Sequence, residues 1–119
     1  MSQGDEAGSA GTTRVVIVDD DPMVRTGLRL ILGGEPRIAV VAEAENGEEA
    51  LAVVARERPD VVVMDIRMPV RDGLSATEAL KAGPNPPRVI VLTTFDADDS
   101  VVRALRLGAD GFLLKDTPP

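Results

Sequence analysis

Five short apolar runs, Val15–Val18, Ile38–Val41, Val61–Met64, Val89–Leu92 and Phe112–Leu114, set the limits on how this chain can fold. They are continuous rather than alternating, and mostly β-branched. Strands of a parallel sheet buried on both faces have this pattern. Each interval between runs carries helix signals. Asp21 followed by Pro22 predicts an N-cap and first helical residue, with Val24, Gly27, Leu28 and Ile31 as the inward stripe and Gly33-Gly34 as the stop. Asn46 with Glu49 has capping-box spacing, and Leu51, Val54 and Ala55 form the next stripe before Pro59. A weaker helix is expected from Leu74 to Lys81, ended by Gly83-Pro84 and Pro86-Pro87. Asp96, Asp98 and Asp99 suit the positive end of a last helix, with Val101, Val102 and Leu105 inward and Gly108 closing it. Strands alternating with helices predict an α/β doubly wound parallel sheet with right-handed crossovers.

Composition narrows the chemistry. The chain of 119 residues is enough for one domain. It has no Cys and no His, so disulfides, thiolate catalysis, histidine general bases and the usual transition-metal ligands are excluded. A formal net charge of −7 without a basic stripe disfavours direct nucleic-acid binding. No apolar run is long enough to span a bilayer and no signal peptide is visible, so a cytoplasmic address is the default expectation. Residues 1–13 have little to bury and are expected to form a flexible tail ahead of a domain spanning 14–119.

The runs end in reactive side chains. Val18 leads into Asp19-Asp20, Met64 into Asp65, Leu92 into Thr93 and Leu114 into Lys115. All strands of an open parallel sheet point their carboxyl ends to one edge, where ligands bind. Three carboxylates, a hydroxyl and an ammonium are therefore expected to meet there. Like charges at about 4 Å cost on the order of 4 kcal/mol per pair at an effective dielectric of 20. A cation relieves that repulsion, and oxygen-only ligands favour Mg²⁺. Lysine and threonine beside such an ion suit a phosphoryl group, and a carboxylate can itself be the nucleophile. Taken singly, each residue also has an ordinary role: Asp as turn former or cap, Thr93 as a strand-end hydroxyl, Lys115 as a solvated surface group, Phe95 and Phe112 as packing, and Asp96–Asp99 as a solvated helix start.

The stretches Val18-Asp19-Asp20-Asp21-Pro22, Met64-Asp65-Ile66-Arg67-Met68-Pro69 with Asp72-Gly73, Leu92-Thr93-Thr94-Phe95-Asp96 and Gly108-Ala109-Asp110-Gly111-Phe112-Leu113-Leu114-Lys115-Asp116 resemble the receiver domain of bacterial two-component response regulators. The last two are similar to the NarL/FixJ (LuxR-type) subfamily. The resemblance implies a flavodoxin-like five-stranded sheet in the order 2-1-3-4-5. It implies Asp65 as phosphoacceptor, and Asp20 as direct Mg²⁺ ligand with Asp19 as its partner. The Arg67 backbone carbonyl becomes a further ligand. Thr93 becomes the switch hydroxyl, Lys115 the phosphoryl contact and Phe112 the rotameric switch aromatic. Asp21 stands where the subfamily often has His, and Asp116 follows Lys115 where other receivers have proline. Receivers also continue into a fifth helix, and this subfamily into a helix-turn-helix DNA-binding domain. The chain given ends at Pro119, before both, which leaves an apolar face beside the first helix and last strand and leads us to expect marginal stability or self-association.

The function expected on this resemblance is a signalling switch phosphorylated by a partner sensor histidine kinase. The face of the fourth helix and fifth strand passes the change to a transcriptional output, with a phosphorylation-linked homodimer as partner state. DNA is contacted only through the helix-turn-helix domain. The chain is a phosphoacceptor rather than an enzyme acting on others. A haloacid-dehalogenase-type phosphatase needs a second Asp two residues after the nucleophile, where this chain has Arg67. A receiver used only as an interaction module should lack part of the site. A nucleotide-binding Rossmann unit fails for want of a G-x-G-x-x-G after the first strand.

Overall fold

In the computed structural model, residues 11–68, 70–93 and 98–114 are described. The elements alternate along the chain: β1 (Thr13–Val18), α1 (Pro22–Gly33), β2 (Ile38–Ala44), α2 (Gly47–Glu57), β3 (Val61–Asp65), α3 (Gly73–Lys81), β4 (Arg88–Thr93), α4 (Asp98–Arg106) and β5 (Gly111–Leu114). All neighbouring strands pair in parallel, in the order β2-β1-β3-β4-β5. This is the flavodoxin-like doubly wound sheet expected from the sequence, with β3 at its centre. Among the described residues no helix is long and apolar enough to cross a membrane.

The sheet separates two apolar layers. On one face Val16, Val18, Val62, Met64, Val89 and Val91 meet Ala50 and Val53 of α2, Leu74, Ala76 and Leu80 of α3, and Ala104 of α4. On the other, Val15, Ile17, Val63 and Leu92 meet Leu28 and Leu32 of α1. The helix caps follow the local sequence. Asp21 Oδ1 accepts from Met23 N–H at 2.9 Å, Asn46 Oδ1 from Glu49 N–H at 2.8 Å, and Asp72 Oδ1 from Ser75 N–H at 2.8 Å. Each satisfies an amide that the first turn cannot. Gly108, with φ of 110°, turns the chain out of α4 in a conformation that disfavours a side chain.

Three inward stripes differ from expectation. In α1 the buried-side residues are Leu28 and Leu32, and Ile31 is 73% exposed. In α2 Ala50 and Val53 are buried, Leu51 and Val54 half-buried, and Ala55 exposed. In α4 Ala104 is buried while Val102 and Leu105 are exposed. In α2 and α4 the small residues Ala50 and Ala104 let the helix approach the sheet closely, so larger neighbours rotate toward the rim; α1 meets the sheet through Leu28 and Leu32 and buries no residue fully. β5 is the least covered strand: Leu113, paired with Leu92 on the α1 face, is 52% exposed.

Edge strand β2 holds an irregularity that bears on the site. Val15 pairs with Val40 but Val16 pairs with Ala42, so Val41 is an extra residue. Val41 and Ala42 both pack toward α2, and Glu43 falls opposite Ile17 on the α1 face. This is a β-bulge, and edges are where bulges concentrate.

At the opposite end of the sheet from the strand termini, Asp110 ties β5 to β4. Its Oδ2 accepts from Val89 N–H at 2.8 Å and from Lys81 Nζ at 2.9 Å, and Lys81 also donates to the Pro87 carbonyl at 3.0 Å. Burial pushes the Asp110 carboxyl up, but the hydrogen bonds from Lys81 and the Val89 amide outweigh it and hold the group below its ordinary range. Its contribution to stability is therefore present at neutral pH and lost as pH falls through that lowered value. Asp110→Ala should cost about 1–2 kcal/mol in urea unfolding at pH 7. The difference from wild type should shrink in strong acid, and a difference unchanged by acid would contradict the assignment.

Candidate phosphoacceptor site

The carboxyl ends of β1 and β3 bring three acids together. Asp19 and Asp20 directly follow β1, and Asp65 is the last residue of β3. Carboxylate oxygens of Asp19, Asp20 and Asp65 lie within 4.8 Å of one another. Asp19 and Asp65 are buried and Asp20 is exposed, so the cluster opens to solvent on one side.

The local backbone fixes each acid. Asp19 N–H donates to the Ala44 carbonyl of β2 at 3.1 Å, and Asp19 Oδ1 accepts from Asp21 N–H at 2.9 Å. Asp21 itself turns away to cap α1, as its place before Pro22 predicts. Asp65 pairs with Leu92 in the β3–β4 ladder, and the following Ile66 N–H donates to the Leu92 carbonyl at 3.1 Å. The Arg67 N–H faces Asp65 Oδ1 at 3.4 Å, a long contact that leans the loop over the acid. Thr93, buried at the end of β4, stands one residue past that Asp65–Leu92 pair.

The loop from Ile66 to Asp72 is clamped from two sides. Gly73 N–H donates to the Ile66 carbonyl at 2.7 Å, and a Cβ on Gly73 would sit 2.1 Å from the Asp65 carbonyl oxygen. Gly47, at the start of α2, donates to the Arg71 carbonyl at 2.9 Å. Arg71 reaches Glu48 at 3.0 Å and Ser75 Oγ at 3.0 Å. Within the loop Val70 has φ of 70°. A β-branched residue there is strained by roughly 1–3 kcal/mol, a kind of outlier that clusters at functional sites.

The expected site residues are thus placed as follows. Asp19, Asp20, Asp65, Thr93 and the Arg67 backbone gather at one sheet edge. Phe112 lies on β5 opposite Val91 and is 47% exposed. Lys115, Phe95 and Asp96 fall outside the described residues. Two further residues at the edge carry no motif. Arg25 donates from Nη1 to the Asp19 carbonyl at 2.5 Å and from Nε to Glu43 Oε1 at 2.9 Å. The signal available was Glu43, a lone acid in an otherwise apolar strand segment, with an arginine one turn into the preceding helix.

A parallel sheet with a buried acid at the end of its central strand and two more beside it defines a class of proteins that handle phosphoryl groups or hard cations at the strand ends. Residues 15–119 match the response regulator receiver domain, and the chain belongs to that family. It is 37% identical over 105 residues to the nitrate/nitrite response regulator protein NarL of Escherichia coli K12, covering 88% of this chain and 49% of that protein. It is 41% identical over 103 residues to the transcriptional regulatory protein DegU of Brevibacillus brevis, covering 87% of this chain and 44% of the relative. The chain therefore spans about half the length of these curated relatives. Among solved structures, the signal receiver domain of the NarL response regulator from Mycobacterium tuberculosis superposes with a TM-score of 0.84 at 38% identity, covering 90% of this chain and 86% of that one.

The close approach of Gly73 gives a test of the site's rigidity. Gly73→Ala must push the loop off the Asp65 carbonyl and should cost about 1–3 kcal/mol. Amide shifts should change at Asp65–Arg67 while those of β2 stay in place. Wild-type stability in that variant would contradict the packing described here.

Proposed function

We propose that the chain is a phosphorylation-controlled switch in which Asp65 accepts a phosphoryl group from a sensor histidine kinase. The observation that carries this reading is the convergence of Asp19, Asp20 and Asp65 at the end of the central strand. Family membership supports it. Since the chain contains no His, the donor phosphohistidine belongs to the partner. A carboxylate oxygen of Asp65 attacks phosphorus, an O–P bond forms and the N–P bond to the kinase imidazole breaks.

The donor set fits Mg²⁺: all ligands are oxygens, two carboxylates are buried, and the exposed side leaves room for the waters that this ion retains. Asp20, Asp19, Asp65 and the Arg67 carbonyl would hold it, and the bound ion supplies positive charge opposite the phosphoryl oxygens. Thr93 supplies a hydroxyl at the same edge, and Lys115 supplies the ammonium. Phosphorylation exchanges the single negative charge of the Asp65 carboxylate for the about −1.5 to −2 of a phosphoryl group with three acceptor oxygens. Thr93 moves toward that charge and Phe112 turns inward. The face of α4 and β5, which presents Val102, Leu105 and Phe112, then changes for its partners.

In the reading we favour, residues 14–119 form the receiver and 1–13 a tail, in a cytoplasmic regulator that dimerises on phosphorylation. DNA is contacted by a helix-turn-helix domain C-terminal to this receiver. The exposed Ile31 and Leu113 mark where a fifth helix would pack across the α1 face. Extending the chain by about 15–20 native residues should raise its melting temperature and make it more monomeric, since each 100 Å² of apolar cover adds roughly 2.5 kcal/mol. Equal melting and sedimentation for both lengths would refute that cover.

For the acceptor, acetyl phosphate or phosphoramidate with Mg²⁺ should add one phosphoryl mass, absent in Asp65→Asn. Asp20→Ala should abolish the dependence on Mg²⁺. Asp21→Ala should keep that dependence and lose only the α1 cap, about 1 kcal/mol. Full adduct in Asp65→Asn would overturn the proposal.

A further inference from the structure

The arginine beside the acid cluster has a geometry that capping and surface charge do not explain. Arg25 lies one turn into α1, and its side chain is only 18% exposed. It makes two bonds at once, to the Asp19 carbonyl at 2.5 Å and to Glu43 Oε1 at 2.9 Å. Glu43 in turn accepts from Arg29 Nε at 2.5 Å. The hydrogen bond from Arg29 is the main influence holding the Glu43 carboxyl below its ordinary range; burial opposes it, and the bond from Arg25 adds to it. Glu43 therefore stays ionised and keeps the Arg25 fork in place.

The Asp19 carbonyl belongs to the peptide that joins Asp19 to Asp20. The other side of Asp19 is held by the bond from its N–H to Ala44. With its carbonyl also held, the peptide plane cannot rotate, and that plane sets the direction in which the Asp20 side chain leaves the backbone. We infer that Arg25, braced by Glu43, is a positioning residue that presents Asp20 to the metal ion. This rests on the Mg²⁺ reading of the acid cluster given above.

Charge and position make opposite demands here, so the sign of the effect decides between them. A guanidinium near a cation site repels the cation, and if Arg25 acted only as a charge its removal would tighten Mg²⁺ binding. If it holds the Asp19–Asp20 peptide, removal weakens binding in spite of that relief.

The test is titration of the unphosphorylated chain with Mg²⁺ alone, followed by the backbone amide shifts of Asp19, Asp20 and Asp65, with thermal melting in parallel. The double variant Arg25→Met with Glu43→Gln leaves net charge unchanged and removes both ends of the brace. It should bind Mg²⁺ about five- to ten-fold more weakly, with the Asp20 amide shifted before metal is added. Arg25→Lys, which can still donate to a carbonyl, should recover part of the loss. Arg29→Ala, which touches Glu43 but not Asp19, should stay within two-fold of wild type. Unchanged or tighter binding in the double variant would overturn the inference while leaving the metal site intact. An equal loss in Arg29→Ala would also overturn it, by assigning the effect to Glu43 alone. A wild-type chain whose Asp19, Asp20 and Asp65 amides ignore Mg²⁺ would overturn the metal reading and this inference with it.

Discussion

Mutual repulsion among three carboxylates is the condition on which the rest of the molecule depends. Two of them are buried, where isolated charge is most costly, and all three sit within 4.8 Å. Such a cluster exists only if the surrounding backbone is held firmly enough to keep it assembled. The parallel sheet does this by ending β1 and β3 side by side, and the amides of Ala44–Asp19 and Leu92–Ile66 carry the ladder past the strands to the acids themselves. The tension makes the site responsive. A cation that entered the cluster would relieve this repulsion.

The two faces of the sheet share this work unequally. The face covered by α2, α3 and α4 contains the larger apolar cluster, and through Gly47 and Arg71 it grips the loop that follows Asp65. The α1 face contains fewer buried residues, yet it supplies the Arg25–Glu43 brace behind Asp19. Asp65 and Asp19 are thus supported from opposite sides of the sheet. The thinly covered β5 and the exposed residues of α4 lie at the periphery, where a small rearrangement disturbs little of the core.

Much of this was legible in the sequence because burial on both faces leaves an unambiguous mark. Val61–Met64 could hardly be anything but a central strand, and the acid after it had to lie at the ligand edge. Asp21 could be assigned as a cap because Pro22 follows it, and the structure agrees. The inward faces of the helices were less legible. Ile31, Val102 and Leu105 have the right spacing and hydrophobicity, but the helices come close to the sheet on Leu28, Ala50 and Ala104, and spacing does not reveal how near a helix can approach. Arg25 and Glu43 were missed for another reason. Their contact joins a helix to an edge strand whose alternation is interrupted at Val41, and no periodicity rule places a bulge.

That interruption also says where the fold can change length. Past Val41, every partner of β1 on β2 is displaced by one, so the strand already contains the slack of one residue. A chain shortened at Val41 would pair as a regular ladder, with Glu43 still opposite Ile17 and Ala44 still beside the amide of Asp19. The reverse event, drawing the bulge straight without losing a residue, would swing Glu43 opposite Val18, onto the apolar side beneath α2, and leave Arg25 without its carboxylate partner. β2 is therefore a strand in which a deletion is mild and a slip is not. Its single carboxylate works as a ratchet tooth: it sits comfortably in one phase of the pleat, and its desolvation cost opposes movement to the other.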